Sequence, residues 1–392
     1  MRSLTKLSLA VVTAAAIITA TAFIEPKQSS KTIHLPVQTK AAKPKIQVAV
    51  LLDVSGSMDG LIEQAKAQLW NMVSVMGKAQ YNNMNEPAQI EIALYEYGRD
   101  NNDAAKGYIK QISAFTTDLD GVSKNLFKLT TNGGSEYCGQ VIYTSLKELT
   151  WDTASQNYRV IFIAGNEDFL QGSVTYTKAC EEAKKKGVIV NTIYCGDKQQ
   201  GIREHWNLGA ECGMGSFTHI DQNAKQEDIP TPYDSTLFTL NTKLNNTYIA
   251  YGYEGKANAA KQAEVDNMNY EMNKSVAVQR VTVKSKSSLY KNSGWDLVDA
   301  YKDDKTIVTK VDLKTLPENL KNKSRAEIET IVKQKQTERG TIQKEIETVS
   351  EKRTNYIVAE KAKSAKTTNA TLETEVERII KEQAKRFNMK IE

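Results

Sequence analysis

The chain lacks the motifs that mark the common enzyme classes. G-x-S-x-G, H-E-x-x-H, the phosphate-binding P-loop and G-x-G-x-x-G are all missing from its 392 residues. Its histidines, His34, His205 and His219, are isolated, and His219 near Asp221 indicates an edge-strand pair rather than an acid–base couple. We therefore expect a protein without enzymatic activity. An enzyme of unrecognised type ranks third among the functions considered below.

A strong charge of one sign is also missing. The 52 Lys and Arg residues and the 47 Asp and Glu residues leave a net charge of +5. Basic residues are interspersed with acidic ones and form no stripe. This distribution predicts a solvated surface and argues against nucleic acid as a partner.

Beyond the N-terminus, no segment is apolar enough to span a membrane. At the N-terminus, Arg2 and Lys6 precede an apolar stretch over residues 7–24 that contains the small residues of 20–22. This layout predicts a secretory signal peptide, and the length also allows an uncleaved membrane anchor. We expect export to the periplasm or cell envelope, with residues 25–45 as a polar linker.

The four cysteines contain no C-x-x-C pair, which argues against a redox enzyme. In an exported chain they are candidates for two disulfides, with three possible connectivities. Cys195 ends a predicted strand and Cys212 follows a short helix, so a bridge between them would close a loop of roughly 16 residues, worth about 3 kcal/mol. By elimination, Cys138 would pair with Cys180.

From Ile46 onward, apolar segments alternate with amphipathic ones. The segment "IQVAVLLD" (46–53) is apolar on both faces, as in a central strand. Further strands are predicted at 89–98, 108–115, 159–166, 188–196 and 216–221. Helices are predicted from Ile62 to a stop at Gly77 and at 118–128, 137–150, 174–186 and 200–209. The alternation predicts an α/β, Rossmann-like, doubly wound and mostly parallel sheet, with ligands bound at the carboxyl ends of its strands.

After Pro230 the pattern becomes mainly helical. A helix over 234–246 closes a predicted domain of residues 46–255, and residues 256–392 form a helical extension. In the first part of that extension we expect one long helix over 257–285. The segment 294–317 is interpreted as a compact extended or hairpin element.

The second part of the extension begins with a capping box, Ser324-Arg325-Ala326-Glu327, which opens a long helix. A final helix starts near Thr371. The long helix carries a thin apolar stripe typical of a helical hairpin or coiled coil, interrupted by charged residues. The sequence is equally compatible with an arm that binds a partner and with a helical appendage that has no binding role. The stripe consists of Ile328, Ile331, Val332, Ile342, Ile346, Val349 and Tyr356.

The central strand ends in three oxygen donors spaced two residues apart, Asp53, Ser55 and Ser57. Mg²⁺ prefers about six oxygen ligands and usually binds only one or two carboxylates. A tight loop can direct both hydroxyls to one side above the carboxylate, and Gly56 and Gly60 allow close approach of the backbone. The alternative is that the serines cap the following helix, which explains one hydroxyl and leaves the carboxylate unexplained.

This D-x-S-x-S sequence resembles the metal-ion-dependent adhesion site of von Willebrand factor type A domains. The resemblance covers residues 46–222 and implies a Rossmann-like fold that binds Mg²⁺, or Mn²⁺ or Ca²⁺. The segment "TTNGGSEYCG" (130–139) is similar to the Gly-Gly-Thr loop of the family, which implies that Ser135 supplies a further ligand. An ordinary glycine turn before a helix is the alternative.

A third loop departs from the family pattern. Type A domains usually end the corresponding strand in Thr-Asp-Gly, where this chain has Ala164-Gly165-Asn166. Asn166 can offer an amide oxygen, and Glu167 or Asp168 can reach the ion if the loop bends. The loss of a carboxylate weakens ion binding, but it also leaves the ion more receptive to a carboxylate from a partner.

The resemblance implies a protein-binding module in which a partner donates an acidic side chain to the ion. In adhesion-type members such binding is coupled to a shift of the last helix, here the helix over 234–246. The segments "NTYIAYGYEG" and "GWDLVDA" resemble exported bacterial proteins of this family with a helical C-terminal extension. The alternative function is a structural envelope protein with a vestigial metal site.

Overall fold

The structure is a computed structural model that describes residues 44–81, 87–221, 223, 228–363 and 372–391. From Pro44 onward these residues form one compact unit. The predictions of a signal peptide or anchor and of a polar linker concern residues 1–45 and lie almost entirely outside the described residues. None of the described helices is both long enough and apolar enough to cross a bilayer.

A six-stranded sheet in the order β4-β3-β1-β5-β6-β7 forms the centre of the unit. All neighbouring strands are parallel except β4, which pairs with β3 in the antiparallel direction. The Rossmann-like, mostly parallel sheet predicted from the sequence is therefore confirmed. The strands are β1 Lys45–Asp53, β2 Gln80–Tyr81, β3 Gln89–Tyr97, β4 Lys110–Thr116, β5 Tyr158–Gly165, β6 Ile189–Cys195, β7 Met214–Ile220 and β8 Met389–Lys390.

The described residues also form helices between and after these strands. They are α1 Asp59–Met76, α2 Leu119–Lys128, α3 Cys138–Glu148, α4 Tyr176–Lys186, α5 Lys198–Arg203, α6 Trp206–Cys212, α7 Asp234–Asn245, α8 Gly255–Met272, α9 Lys274–Lys284, α10 Leu297–Asp303, α11 Ile307–Lys310, α12 Glu318–Lys321, α13 Arg325–Lys363 and α14 Leu372–Ala384.

The central strand β1 is apolar on both faces because both faces are covered. Val48 and Leu52 belong to a core shared with α1, α2 and α14, whereas Ala49 and Leu51 belong to a core shared with α3, α4 and α6. Successive side chains of a strand point to opposite faces, so the continuous apolar run is required by the two layers of helices.

Two helical predictions need correction. The single helix expected over 200–209 is two helices, α5 and α6, separated at His205, whose φ of 64° interrupts the helical backbone. The long helix expected over 257–285 is also two, because the Asn273 side chain accepts hydrogen bonds from the amides of Ser275 and Val276 and starts α9. Local polar caps thus end helices that the apolar pattern alone would continue.

The prediction of an extended or hairpin element over 294–317 is wrong. This segment contains α10, α11 and a short 3₁₀ turn. Asp296, Asp304 and Asp312 each accept a hydrogen bond from a backbone amide two or three residues further on, at 2.8–3.0 Å. Aspartate in this position favours the start of a helical turn.

The predicted capping box is confirmed at the start of α13. The backbone amide and hydroxyl of Ser324 donate to Glu327 at 2.8 and 2.7 Å, and the Glu327 amide donates back to the Ser324 hydroxyl at 3.3 Å. Ile328 and Val332 of α13 pack with α10, and Ile342 and Ile346 pack with α7 and α9. Short helices of the same unit therefore cover the apolar stripe.

The last helix, α14, packs on α1 and β7 in the helical layer that covers one face of the sheet. Ile379 and Ile380 are fully buried in the same core as Val48 of β1. Gln383 lies in a buried polar cluster with Tyr158 of β5 and Asn191 of β6. The strand β8 that follows pairs with β2. Both ends of the described chain thus contribute to one core.

Both predicted disulfides are wrong. The structure joins Cys180 to Cys212, and Cys138 and Cys195 are buried free thiols. The reason is the direction in which each side chain points. Cys195 faces the α1 side of the sheet, whereas Cys180 of α4 and Cys212 of α6 lie on neighbouring helices of the other side. Sequence spacing carries no information about which face a cysteine occupies.

Candidate metal centre

Loops at the carboxyl ends of three neighbouring strands meet above the sheet. The Val54 amide, just after β1, donates to the Tyr97 carbonyl at the end of β3 at 2.9 Å. The Asn132 amide donates to the Val54 carbonyl at 2.9 Å, which brings the loop before α3 to the same place. A Cβ atom on Gly56 would lie 3.8 Å from the Gly133 nitrogen. The D-x-S-x-S loop and the 130–137 loop are therefore in contact.

Asp53 and Ser55 form the buried floor of this centre. Asp53 is 0% exposed and Ser55 is 5% exposed. The Ser55 amide donates to Asp53 Oδ1 at 2.8 Å. The second carboxylate oxygen, Oδ2, and the Ser55 hydroxyl have no partner of hydrogen-bond geometry among the described residues. The Ser55 hydroxyl and the Asn166 amide lie close enough to favour the ionised Asp53, but neither completes a hydrogen bond of good geometry to Oδ2. Buried oxygens without a well-formed hydrogen bond are costly unless a ligand binds them.

Ser57 and Asn166 form the exposed side of the centre. The Ser57 hydroxyl lies 3.4 Å from Asn166 Oδ1 and 3.3 Å from Asn166 Nδ2. Ser135 lies in the adjacent 130–137 loop and is half-buried. The structure thus pairs Asp53 with Ser55 and Ser57 with Asn166, and it places the Ser135 loop beside both.

Neither serine loop serves to cap a helix through its side chain. Met58 is the residue that precedes α1, and Tyr137 is the residue that precedes α3, and neither donates or accepts a side-chain capping bond. The capping alternative for Ser55 and Ser57 is therefore wrong. Neither hydroxyl is used to cap the helix, and the Ser57 hydroxyl has only the long contacts with Asn166.

Glu136 is a further acid at this centre that was not among the predicted site residues. Its side chain is only 6% exposed. Gly98, which follows β3 with a φ of +81°, separates it from Asp53: a Cβ atom on Gly98 would lie 2.8 Å from Asp53 Oδ1 and 3.0 Å from Glu136 Cγ. The available signal was an acid directly after the Gly-Gly-Ser sequence, but nothing in the sequence indicated that it would be buried.

Burial and mutual repulsion disturb both carboxyl groups. Burial raises the pKa of Asp53 to about 6, an effect that Ser55 opposes and the charge of Glu167 increases. Burial also raises the pKa of Glu136 to about 7, and the charges of Asp53, Glu167 and Asp100 add to the rise. A group of acids that raise one another's pKa values lacks a positive counter-charge.

The third loop supplies no carboxylate at the expected position. Gly165 packs directly behind Asp53, where a Cβ atom would lie 2.9 Å from Oδ2. Asp168 is engaged elsewhere, since it lies 3.1 Å from His205 Nδ1 and accepts from the Leu170 amide at 2.9 Å. Glu167 is exposed, and its carbonyl accepts from Trp206 Nε1 at 2.8 Å.

The donors fit a hard divalent cation. Carboxylate, hydroxyl and amide oxygens are the ligands of Mg²⁺, Mn²⁺ and Ca²⁺. Over the described residues, no three His, Cys, Asp or Glu side chains are grouped to hold a metal ion. A cation at this centre would therefore depend on hydroxyl and amide oxygens around the Asp53 carboxylate.

No protein-family model and no curated protein matches the chain. Among solved structures, it is similar to the conserved hypothetical protein BatB from Bacteroides thetaiotaomicron, with 15% identity and a TM-score of 0.34 over 45% of this chain and 90% of that one. A von Willebrand factor type A structure from Catenulispora acidiphila shares 12% identity, with a TM-score of 0.33 over 45% of this chain and 39% of that one.

A further similar structure is proximal thread matrix protein 1 of the mussel byssus, described as having a zinc-occupied MIDAS motif. It shares 13% identity, with a TM-score of 0.34 over 45% of this chain and 42% of that one. These likenesses concern architecture. The sheet order and strand directions of the chain itself show the Rossmann-like, mostly parallel sheet that the sequence predicted.

Proposed function

We propose that the chain is a non-enzymatic binding module that engages a protein partner through a divalent cation, Mg²⁺ or alternatively Mn²⁺ or Ca²⁺. The ligands are the side chains of Asp53, Ser55, Ser57, Ser135 and Asn166. When bound, the cation supplies a positive point to which a partner can donate an acidic side chain. The chain's own residues hold the cation and orient it toward solvent.

One observation carries this proposal: Asp53 Oδ2 and the Ser55 hydroxyl are buried and lack hydrogen-bond partners among the described residues. A purely structural aspartate at the end of a buried strand is expected to accept bonds with both oxygens. The raised pKa of Asp53 points the same way, because the site disfavours the ionised carboxyl in the absence of a cation.

The surface beside the centre supports a protein partner. Leu170 is 45% exposed and Ile202 is 39% exposed, and both follow strands that end at this edge of the sheet. A hydrogen bond of 2.9 Å from the Phe169 amide to the Glu204 carbonyl holds their two segments together. Exposed apolar side chains at the edge of the sheet where the centre lies can contribute to a protein interface.

The N-terminal sequence supports a location in the periplasm or cell envelope, with residues 1–24 either removed or retained as an anchor. Mass spectrometry of the protein from an envelope fraction distinguishes the two, because cleavage removes the basic and apolar segment.

Calorimetric titration with Mg²⁺ and with Mn²⁺ tests the cation. We expect saturable binding to the wild type and none to Asp53→Ala. A matched control is Asp103→Ala, which removes an aspartate from another exposed loop on the chain and should leave binding unchanged. Equal or absent heats for wild type and Asp53→Ala would overturn the proposal.

Partner capture from envelope extracts, with and without EDTA, tests the acidic partner. We expect a protein that is retained by the wild type and released by EDTA or by Asp53→Ala. The alternative function, a structural envelope protein with a vestigial site, predicts capture that is indifferent to both. The burial of α14 in the core on one face of the sheet is compatible with either function, because a binding module and a structural protein both require a rigid body.

A further inference from the structure

We infer that Glu136 is the second carboxylate ligand of the cation, supplied by the loop before α3 in place of the acid missing from the loop after β5. This inference rests on the proposed cation site and names a ligand of that site. It concerns a residue that the D-x-S-x-S resemblance does not include.

Glu136 lies close to Asp53 in the fold. A Cβ atom on Gly98 would lie 2.8 Å from Asp53 Oδ1 and 3.0 Å from Glu136 Cγ, so Glu136 Cγ is within about 6 Å of the Asp53 carboxylate, and the Glu136 carboxylate lies against Gly134 of the same 130–137 loop. Gly98 adopts a φ of +81°, which favours glycine, and any larger residue would separate the acids or collide with them.

Glu136 is buried and has no basic partner among the described residues. Glu136 is 6% exposed and lies beside Ser135, which the proposed site already uses. Two ionised carboxylates this close together in a buried place repel each other, and a bound cation would remove that repulsion. No Lys or Arg side chain of the described residues forms an ion pair with Glu136 or Asp53.

Glu136 also supplies negative charge that a divalent cation at this centre would need. With Asn166 in place of a carboxylate, Asp53 alone would neutralise half of a divalent cation. Glu136 restores a second negative charge within the number of carboxylates that Mg²⁺ usually accepts. The loop after β5 cannot supply it at position 165, because Gly165 packs against Asp53, or from Asp168, which is paired with His205.

Glu136→Gln and Glu167→Gln are a matched pair for the test. Both variants remove one negative charge near Asp53, but Glu136 is buried beside Asp53 whereas Glu167 is exposed. Calorimetry measures the Mn²⁺ affinity of each variant. Tb³⁺ luminescence lifetimes in H₂O and D₂O give the number of water molecules on the bound ion. Glu136→Gln is expected to weaken Mn²⁺ binding by about tenfold or more and to add water to bound Tb³⁺, while Glu167→Gln changes affinity by less than about threefold.

Equal effects of the two variants, or no effect of Glu136→Gln, would overturn the inference and leave the cation site intact. Absence of Mn²⁺ binding to the wild type would overturn the proposed function and this inference together. Glu136→Asp provides a second variant should Glu136→Gln fail to fold. Glu136→Asp keeps the charge and shortens the side chain. If Glu136 binds the ion directly, this variant should bind Mn²⁺ more weakly. If Glu136 acts only through its charge, the Mn²⁺ affinity should not change.

Discussion

Gln383 in α14 donates a hydrogen bond of 2.6 Å to Asn191 Oδ1 in β6, although 192 residues separate them in the chain. The same Gln383 accepts from the Tyr158 hydroxyl at 2.8 Å, and Gln383 and Asn191 are both 0% exposed. This contact ties the end of the chain to the middle of the sheet.

We predict that Gln383→Leu lowers the free energy of unfolding by about 2–3 kcal/mol, because it leaves the buried Tyr158 and Asn191 side chains short of partners. Urea denaturation followed by circular dichroism measures the change. Glu382→Ala, an exposed neighbour in the same helix, should cost no more than about 0.5 kcal/mol. Equal losses for the two variants would show that the buried cluster is not what holds α14.

The fully buried Arg280 bridges Asp120 of α2 and Asp266 of α8, with an N–O distance of 2.6 Å to each. Arg280→Met should destabilise the protein by about 3–5 kcal/mol, because two carboxylates remain in the interior with less compensation. The matched control is Lys124→Ala, which breaks the more exposed ion pair with Glu264 between the same two helices and should cost at most about 1 kcal/mol. Thermal or urea denaturation compares them, and a small loss for Arg280→Met would contradict the prediction.

Alkylation of the unfolded, unreduced protein should label Cys138 and Cys195 and leave Cys180 and Cys212 protected, as peptide mass spectrometry can show. Replacing both Cys180 and Cys212 by serine should lower the free energy of unfolding by roughly 3–4 kcal/mol, given the sequence separation of 32 residues. Dithiothreitol should destabilise the wild type and leave the double variant unchanged. Labelling of Cys212 in the wild type would contradict the pairing.

In EDTA, the contribution of Asp53 to the stability of the protein should fall as the pH rises from about 4 to about 6, and the raised pKa of Glu136 extends the fall to about pH 7. The folded state raises the pKa of Asp53 from 3.8 to about 6, so between these values the folded protein binds more protons than the unfolded chain. Below pH 3.8 the carboxyl is protonated in both states and costs nothing. At pH 7 the loss amounts to roughly 2–3 kcal/mol.

Urea denaturation across this pH range measures the effect, with Asp53→Asn as the control that should show a flatter dependence. Adding Mg²⁺ at pH 7 should restore stability to the wild type, because the cation binds the ionised carboxylate, and should not do so in Asp53→Asn. A wild-type profile that matches Asp53→Asn would show that the folded state does not disturb Asp53.

The sequence predicted the sheet well because its signals are local. The apolar run of β1 and the helix that ends before Gly187 are visible in adjacent residues. The D-x-S-x-S loop is equally local, and so is the capping box at Ser324. Even the helical turns of 294–317 had a local signal in Asp296 and Asp304, which the extended interpretation overlooked.

The features that could not be predicted depend on residues far apart in the chain. Asp53 and Glu136 both pack against Gly98, which brings them close together in the fold. The residues next to Glu136 in the sequence do not indicate that it is buried there. The pairing of Cys180 with Cys212 depends on which side of the sheet α4 and α6 occupy. In both cases the tertiary arrangement decides, and a single sequence does not show it.

The position of α14 in the core on the α1 side of the sheet has a consequence for folding during synthesis. Ile379 and Ile380 belong to the same core as Val48 of β1, so this core is incomplete until the residues from 372 onward have been made. We expect the sheet to lack part of its apolar cover, and therefore part of its stability, while only the residues before 372 have been synthesised.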